Sequence, residues 1–238
     1  MQHQDLGLST LISLSEADRF NEWMFEAIRP YIAGKTLEIG SGIGNISAIF
    51  VRHQLPLYVS DHTDEYVGRL RSRFGATDLV KGILSIDLAD EHFETVHAEI
   101  MGTFDTVFAL NVIEHIGDDR LAILNCHRLL KPGGRVVILV PAWPSLYNQL
   151  DKGLEHYRRY SSAALRQLLS GPFKVTEIKY FNLAGIGGWW LTGTLFRRKA
   201  IGEGRAKLYN RLVPLFRLAD KLSSYRMGLS LVAVGEKN

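Results

Sequence analysis

The chain has 238 residues, 46% apolar and 22% charged, the proportions of a soluble globular protein able to bury a sizeable core. Its lone cysteine, Cys126, excludes an internal disulfide and any multi-cysteine metal site, and fits a cytoplasmic chain. The net charge of +3 is uneven: nine Lys/Arg against two acids between Arg197 and Arg226 give that stretch +7, a segment suited to phosphate, to a membrane surface or simply to water.

In chain order, the opening MQHQDLGLST has neither a basic start nor an apolar run, which speaks against a signal peptide. Apolar residues at Phe20, Trp23, Met24, Ala27, Ile28 and Tyr31 keep helical spacing and predict a helix over Phe20–Ile32. Short apolar runs then read as buried strands at Thr36–Ile39, Leu57–Ser60, Leu79–Ile83, Thr106–Leu110 and Arg135–Val140. Helices are expected between them at Ile46–His53, Asp64–Phe74 and Asp118–Leu130, the last stopped by KPGG. Ser161 or Ser162 is positioned to cap a helix over Ala163–Leu169. Two more strands, Lys174–Phe181 and Ser230–Gly235, flank Asn182–Leu229, too long for a hairpin loop and therefore an inserted structure. Inside it, Leu208, Leu212, Leu215, Ala219 and Leu222 repeat as on a helix that Pro214 should kink or start. Tyr180–Phe196 is the longest uncharged stretch, 17 residues diluted by Gly, Thr and Asn. It falls short of the ~20 mostly apolar residues of a membrane span.

The segment TLEIGSGIGNIS, Thr36–Ser47, joins a strand to a helix through glycines. Glycine tolerates left-handed turns and lets a ligand approach bare backbone at a helix amino terminus. A dinucleotide fingerprint would read G-x-G-x-x-G. Here Gly40 and Gly42 fit, but Asn45 stands at the third position and Glu38 would repel a pyrophosphate. The acid suits a ligand that is cationic at that end.

These residues resemble the class I, Rossmann-like S-adenosylmethionine-dependent methyltransferases of the small-molecule branch, from about Trp23 to Val140 and more loosely beyond. LEIGSGIGN is similar to the family's first motif, which implies that Glu38, Gly40, Ser41, Gly42 and Asn45 hold the amino-acid end of the cofactor. LYVSDHT implies Asp61 on the ribose hydroxyls. LSIDLAD implies Asp87 and the Leu88 amide at the adenine, with Asp90 or Glu91 as alternatives to Asp87. FDTVFALNVIEHI resembles the fourth-strand motif, with Asn111 and the Glu114–His115 pair at the methionine end, and LLKPGGRVVILVPA is similar to the family's next loop and strand. Each residue also has a plainer reading. The aspartates could be turn formers, Asn111 a helix cap and His115 a hydrogen-bonded structural histidine.

The resemblance implies an α/β fold: a doubly wound sheet of seven strands, mostly parallel with an antiparallel last strand, in a single domain spanning 1–238. A helical lid or acceptor-binding segment, 182–229, is inserted late. The reaction implied is methyl transfer from S-adenosyl-L-methionine to a small or lipid-like acceptor by in-line displacement, leaving S-adenosyl-L-homocysteine. Neither a metal nor a covalent intermediate is needed for it. The acceptor side should follow the fifth strand, in PAWPSLYNQLDKGLEHYRRYS, with His156 or His115 as base and Tyr147 among the catalytic aromatics. Arg158 and Arg159 could clamp an anion or pair with neighbouring aspartates. GIGGWWLTGTLFRRK reads either as a lid or as a peripheral membrane contact through 183–199, with Trp189 and Trp190 at headgroup level. The competing functions are a nicotinamide-dependent oxidoreductase and a non-catalytic membrane- or partner-binding module on this fold. No nucleic-acid-binding module is evident.

Overall fold

The computed structural model describes residues 11–12, 15–198 and 203–238. The readings that rest on the first ten residues and on Lys199 lie outside the described residues. Seven strands form one sheet: β1 (Thr36–Ile39), β2 (Leu57–Asp61), β3 (Val80–Ser85), β4 (Phe104–Leu110), β5 (Leu130–Pro141), β6 (Lys174–Phe181) and β7 (Ser230–Glu236). Their order is β3-β2-β1-β4-β5-β7-β6. The first five are parallel, and β7 runs antiparallel to both β5 and β6. The seven-stranded doubly wound sheet with an antiparallel last strand is therefore present as expected.

Helices cover both faces, which is why the central strands read as continuous apolar runs rather than alternating ones. In chain order they are α1 (Asp18–Ile28), α2 (Asn45–Arg52), α3 (Asp64–Phe74), α4 (Phe93–Val96), α5 (Asp119–Leu129), α6 (Gln149–Gly153), α7 (Ser162–Ser170), α8 (Gly185–Trp189) and α9 (Glu203–Leu222). Alternate side chains of one strand enter opposite cores. On β5, Val136 and Ile138 pack with Ile123 of α5 and Leu165 of α7, while Val137 and Leu139 pack with Phe108, Phe50 of α2 and Phe25 of α1.

Local chemistry sets the element ends. The first helix stops at Ile28, short of the expected Ile32, and continues as a single 3-10 turn over Arg29–Tyr31; Pro30 carries no N–H for the helical ladder. The Asp118 carboxylate accepts the Leu121 N–H at 3.0 Å and opens α5; Ser161 does the same for Ala164 at 3.1 Å and opens α7. The KPGG segment is not a break between elements: β5 begins at Leu130, paired with Phe104, and runs through it with a register shift. Pro214 does not start a helix either, since α9 runs from Glu203 to Leu222 with the proline inside.

The insertion between β6 and β7 divides into two parts. The second, α9, packs on α1: Tyr209 meets Phe20 edge to face, Arg217 pairs with Glu26, and Val213 is buried in the core. The buried Asp220 ties the end of this helix to the sheet by accepting the N–H groups of Asn182 and Leu183, both at 2.7 Å. The first part, α8 and the wide π-type turns Trp190–Leu195 that continue it, lies instead against the loop after β5, where Asn148 donates to Thr194 at 3.2 Å.

Candidate active site

β1 has β2 on one side and β4 on the other, so successive connections leave its carboxyl end in opposite directions and open a crevice there. Gly40, Gly42 and Gly44 all have left-handed backbones, with φ of 67°, 55° and 81°. The space beside each is different. A Cβ on Gly44 would strike Phe74, and one on Gly40 would lie 2.5 Å from the Val112 Cγ2, so these two glycines let α3 and the loop after β4 close on the turn. Beside Gly42 the neighbour is Leu11, at 3.1 Å, and Asn45 donates to the Leu11 carbonyl at 3.0 Å. A segment ahead of α1 thus covers the glycine turn, a contact that the motif itself did not signal.

Two acids stabilise this turn from below and beside it. Glu38 is buried, its carboxyl accepts the Ser47 hydroxyl at 2.5 Å, and burial pushes its pKa up to about 7 against the opposing pull of Ser47 and Ser41. Asp61 closes β2 and accepts the Gly42 N–H at 2.9 Å and both the N–H and hydroxyl of Thr63 at 3.1 Å. Burial opposes its charge, but hydrogen bonds from His62, Thr63 and Gly42 outweigh it and hold the carboxyl below the usual range. Ser41 exchanges backbone and side-chain bonds with Ser60, fixing the turn to β2.

Further along the same edge, Asp87 is exposed and accepts the Ala89 N–H at 2.8 Å, while Asp90 accepts that of His92 at 2.7 Å. Both aspartates make local turns. Asn125 donates to the carbonyls of Leu88 and Asp90, and the Leu88 N–H has no hydrogen bond among the described residues. Asn111 is exposed with a φ of 54°, and it is Val112 that precedes the 3-10 turn Ile113–His115, so Asn111 is not its cap.

The fourth and fifth strands bring a second cluster beside the first. The Tyr157 N–H donates to the Glu114 carbonyl at 2.8 Å and draws the loop after α6 onto the loop after β4. His115 and His156 thereby meet edge to face, with ring centroids 4.7 Å apart. The His115 residue keeps a solvent-exposed face, yet loss of water around its ring, with the His156 and His62 imidazoles nearby, pushes its pKa down to about 4. His156 is buried, and its Nδ1 is bonded to Asp151 at 2.9 Å. Glu114 is fully buried, neither of its carboxylate oxygens has a partner, and burial pushes it up to about 8.

Of the two arginines, Arg158 pairs with Asp119 at 2.7 Å and Arg159 with Asp151 at 2.8 Å, so both meet neighbouring aspartates. Tyr147 donates its hydroxyl to the His156 carbonyl at 2.7 Å and so positions that histidine. Sequence reasoning did not single out Asp151, and it read Trp189 as part of a lid or at headgroup level rather than in this cluster. The Asp151 carboxylate accepts from His156, Arg159 and the Trp189 indole, the last at 3.2 Å, and the Arg159 guanidinium lies over the Trp189 ring. The only sequence signal was that Asn148 and Asp151 have the spacing of a capping box, which they form at the start of α6.

A family model described as a methyltransferase domain matches residues 37–136, the stretch that carries the glycine turn, Asp61, Asp87, Asn111 and Glu114–His115. A ubiquinone biosynthesis O-methyltransferase of Azotobacter vinelandii is 31% identical over 198 residues, covering 82% of this chain and 77% of that protein. Among solved structures, a methyltransferase bound to the Trm112 activator of Haloferax volcanii superposes with a TM-score of 0.65 at 16% identity, over 96% of this chain and 95% of the other. Phosphoethanolamine N-methyltransferase 2 of Haemonchus contortus, in complex with S-adenosylhomocysteine, superposes with a TM-score of 0.59 at 17% identity, over 91% of this chain and 52% of the other. The ordered crevice residues and these relatives give one answer: the chain belongs to the class I S-adenosylmethionine-dependent methyltransferases and is an enzyme that uses that cofactor.

Proposed function

We propose that the enzyme methylates a hydroxyl oxygen of a small or lipid-linked organic acceptor, and that His156 is the base. The observation that carries this reading is the Asp151–His156 pair at 2.9 Å, set beside His115 at the edge of the cofactor crevice. The name of the Azotobacter relative supports oxygen as the accepting atom.

The residues present fit the cofactor. Left-handed glycines at 40 and 42 shape the turn at the amino-acid end, with Ser41 and Asn45 completing it and Glu38 beneath it, where an ammonium would favour its ionised form. Asp61 has carboxylate lone pairs for a ribose, the Asp87 side chain and free Leu88 N–H suit the adenine, and Asn111 stands at the methionine end. When bound, the cofactor supplies a methyl group already activated on a sulfonium. Holding the acceptor oxygen in line with it accounts for most of the rate, up to ~7–11 kcal/mol in favourable cases. The acceptor's O–H proton passes to the free Nε2 of His156 and on to solvent. In the loaded enzyme the acceptor oxygen would take the methyl group, and the electron pair of the C–S bond would remain on the departing thioether sulfur. Asp151 keeps the imidazole in the tautomer that accepts at Nε2. Tyr147 is a positioning residue through its bond to the His156 carbonyl.

Calorimetry with S-adenosylhomocysteine, followed by methyl-transfer assays over a panel of phenols with aliphatic tails of increasing length, tests the reading. Stoichiometric binding and turnover lost in His156→Ala support it. No heat and no thermal shift at millimolar ligand would end it.

A second reading concerns where the acceptor is met. Trp189 is drawn into the Asp151 cluster, whereas Trp190, Leu191, Leu195 and Phe196 are exposed, followed directly by Arg197 and Arg198. No helix among the described residues is long and apolar enough to cross a membrane. This apolar tip beside cations favours peripheral contact with an anionic bilayer. Pelleting with anionic vesicles should fall when Arg197 and Arg198 are neutralised or Trp190 is made Asp, and pelleting indifferent to all three changes rejects it.

A further inference from the structure

From the convergence of Glu114, His115 and His156, we infer that the enzyme carries a divalent first-row metal site at the acceptor end of its crevice. One ligand atom from each of these residues lies within 4.8 Å of the other two. Glu114 reaches the cluster on the 3-10 turn after β4 and His156 on the loop after α6, and the Tyr157–Glu114 backbone bond fixes one loop against the other.

Three features separate this arrangement from an ordinary polar contact. The Glu114 carboxylate is fully buried, and both its oxygens lack any hydrogen-bond partner. An unpaired buried carboxylate is costly, and a cation is the partner that would satisfy both oxygens at once. His156 has its Nδ1 occupied by Asp151, which leaves the Nε2 lone pair as the ligating position. Metal-binding histidines are oriented in this way, by a carboxylate or a carbonyl on the other ring nitrogen. The buried charges also leave room for a cation. Arg159 is paired with Asp151 and donates to the Ala142 carbonyl, so neither oxygen of the Glu114 carboxyl is taken up by it and both stay open to an ion.

Two imidazoles and one carboxylate suit zinc, iron, manganese or cobalt better than magnesium or calcium, which prefer all-oxygen sites. The role of the ion, though not its binding, rests on the methyl-transfer reading. In the metal-loaded enzyme a bound acceptor hydroxyl would be more acidic and its proton would leave to water, with His156 as a ligand; His156 as the base describes the metal-free enzyme. The Arg159 Nη2, also buried without a partner, adds a donor in the same cluster.

The test uses the full chain stripped with a chelator, titrated with Zn2+ by calorimetry and with Co2+ by visible absorption. One equivalent should bind, with d–d bands of a site containing nitrogen ligands. Glu114→Gln and His115→Ala should each weaken binding about 10–100-fold or more. His115 is at the surface, so its variant keeps the test sound if the buried change harms folding. Absence of stoichiometric binding, affinity unchanged in both variants, or tighter binding of Mg2+ than of Zn2+ overturns the inference. S-adenosylhomocysteine binding is measured in the same samples. If it persists where metal binding fails, the metal site alone is lost and the methyltransferase reading stands.

Discussion

Glu38→Gln probes the crevice most directly, because the side chain keeps its shape and its acceptor for Ser47 while losing the ability to ionise. In the folded protein the carboxyl is pushed from an ordinary 4.5 to about 7, chiefly by burial. By linkage that difference corresponds to about 3 kcal/mol, an order-of-magnitude figure for a group only 4% exposed. The folded-state pKa of this acid is raised. The stability of the neutral form is therefore complete below pH ~4.5, is lost progressively as the pH rises to about 7, and stays lost above it. Wild type and Glu38→Gln should accordingly unfold alike near pH 4.5. By pH 8 the variant should be the more stable by up to about 3 kcal/mol, or roughly 6–12 °C in Tm for a chain of this size. S-adenosylhomocysteine should show the opposite preference. Its ammonium favours the carboxylate, so wild-type affinity should rise through pH 7 while that of the variant stays flat and weak. Urea and thermal unfolding from pH 4.5 to 8.5, paired with calorimetry, read both effects. A stability gap between the two proteins that is the same at pH 5 and pH 8 would refute the reasoning.

Gly40→Ala places a Cβ 2.5 Å from Val112 at a φ of 67°, and should cost about 1–2 kcal/mol for the left-handed backbone alone, with cofactor affinity reduced as the turn shifts. Adding Val112→Ala should recover part of the stability lost to the clash, which urea titration of the double variant will report. Asp151→Ala leaves Arg159 buried without its counter-charge and should destabilise by about 3–5 kcal/mol, measured by the same method; a loss below 1 kcal/mol would mean that solvent reaches the guanidinium. Cys126 is fully buried with its thiol pushed up to about 12, so an aromatic disulfide reagent should leave it untouched at pH 8 until denaturant is added.

Much of the architecture is readable in the linear chain because its signals are local. β1 and α3 fall where apolar runs and helical spacing put them, since strands covered on both faces must be apolar throughout and amphipathic helices must repeat. The glycine turn was equally legible: a left-handed backbone at 40, 42 and 44 is a demand that glycine meets at low steric cost. Errors came where a local rule met a tertiary constraint. Pro214 does not start a helix but is accommodated inside α9, where its neighbour Val213 is buried, and KPGG, which does follow the end of α5, forms a bulge unpaired with β4 between the Leu130 and Arg135 pairs of β5 rather than a loop ahead of it.

The acceptor side belongs to tertiary structure alone. Nothing in the order of residues says that Asp151 would collect His156, Arg159 and Trp189, that Trp190 would be left outside, or that Leu11 would settle on Gly42. Pairing among charged and aromatic side chains depends on which loops the strand order brings to one edge, and Glu114 meets His156 because β4 and β5 are neighbours. The sequence by itself determined the sheet and its glycine turn, since each follows from backbone conformation and periodic burial, and its resemblance to a known family implied the class of reaction. Only the folded arrangement decided which ionisable groups are buried together and which of them go without a partner, because desolvation and charge pairing act through space rather than along the chain.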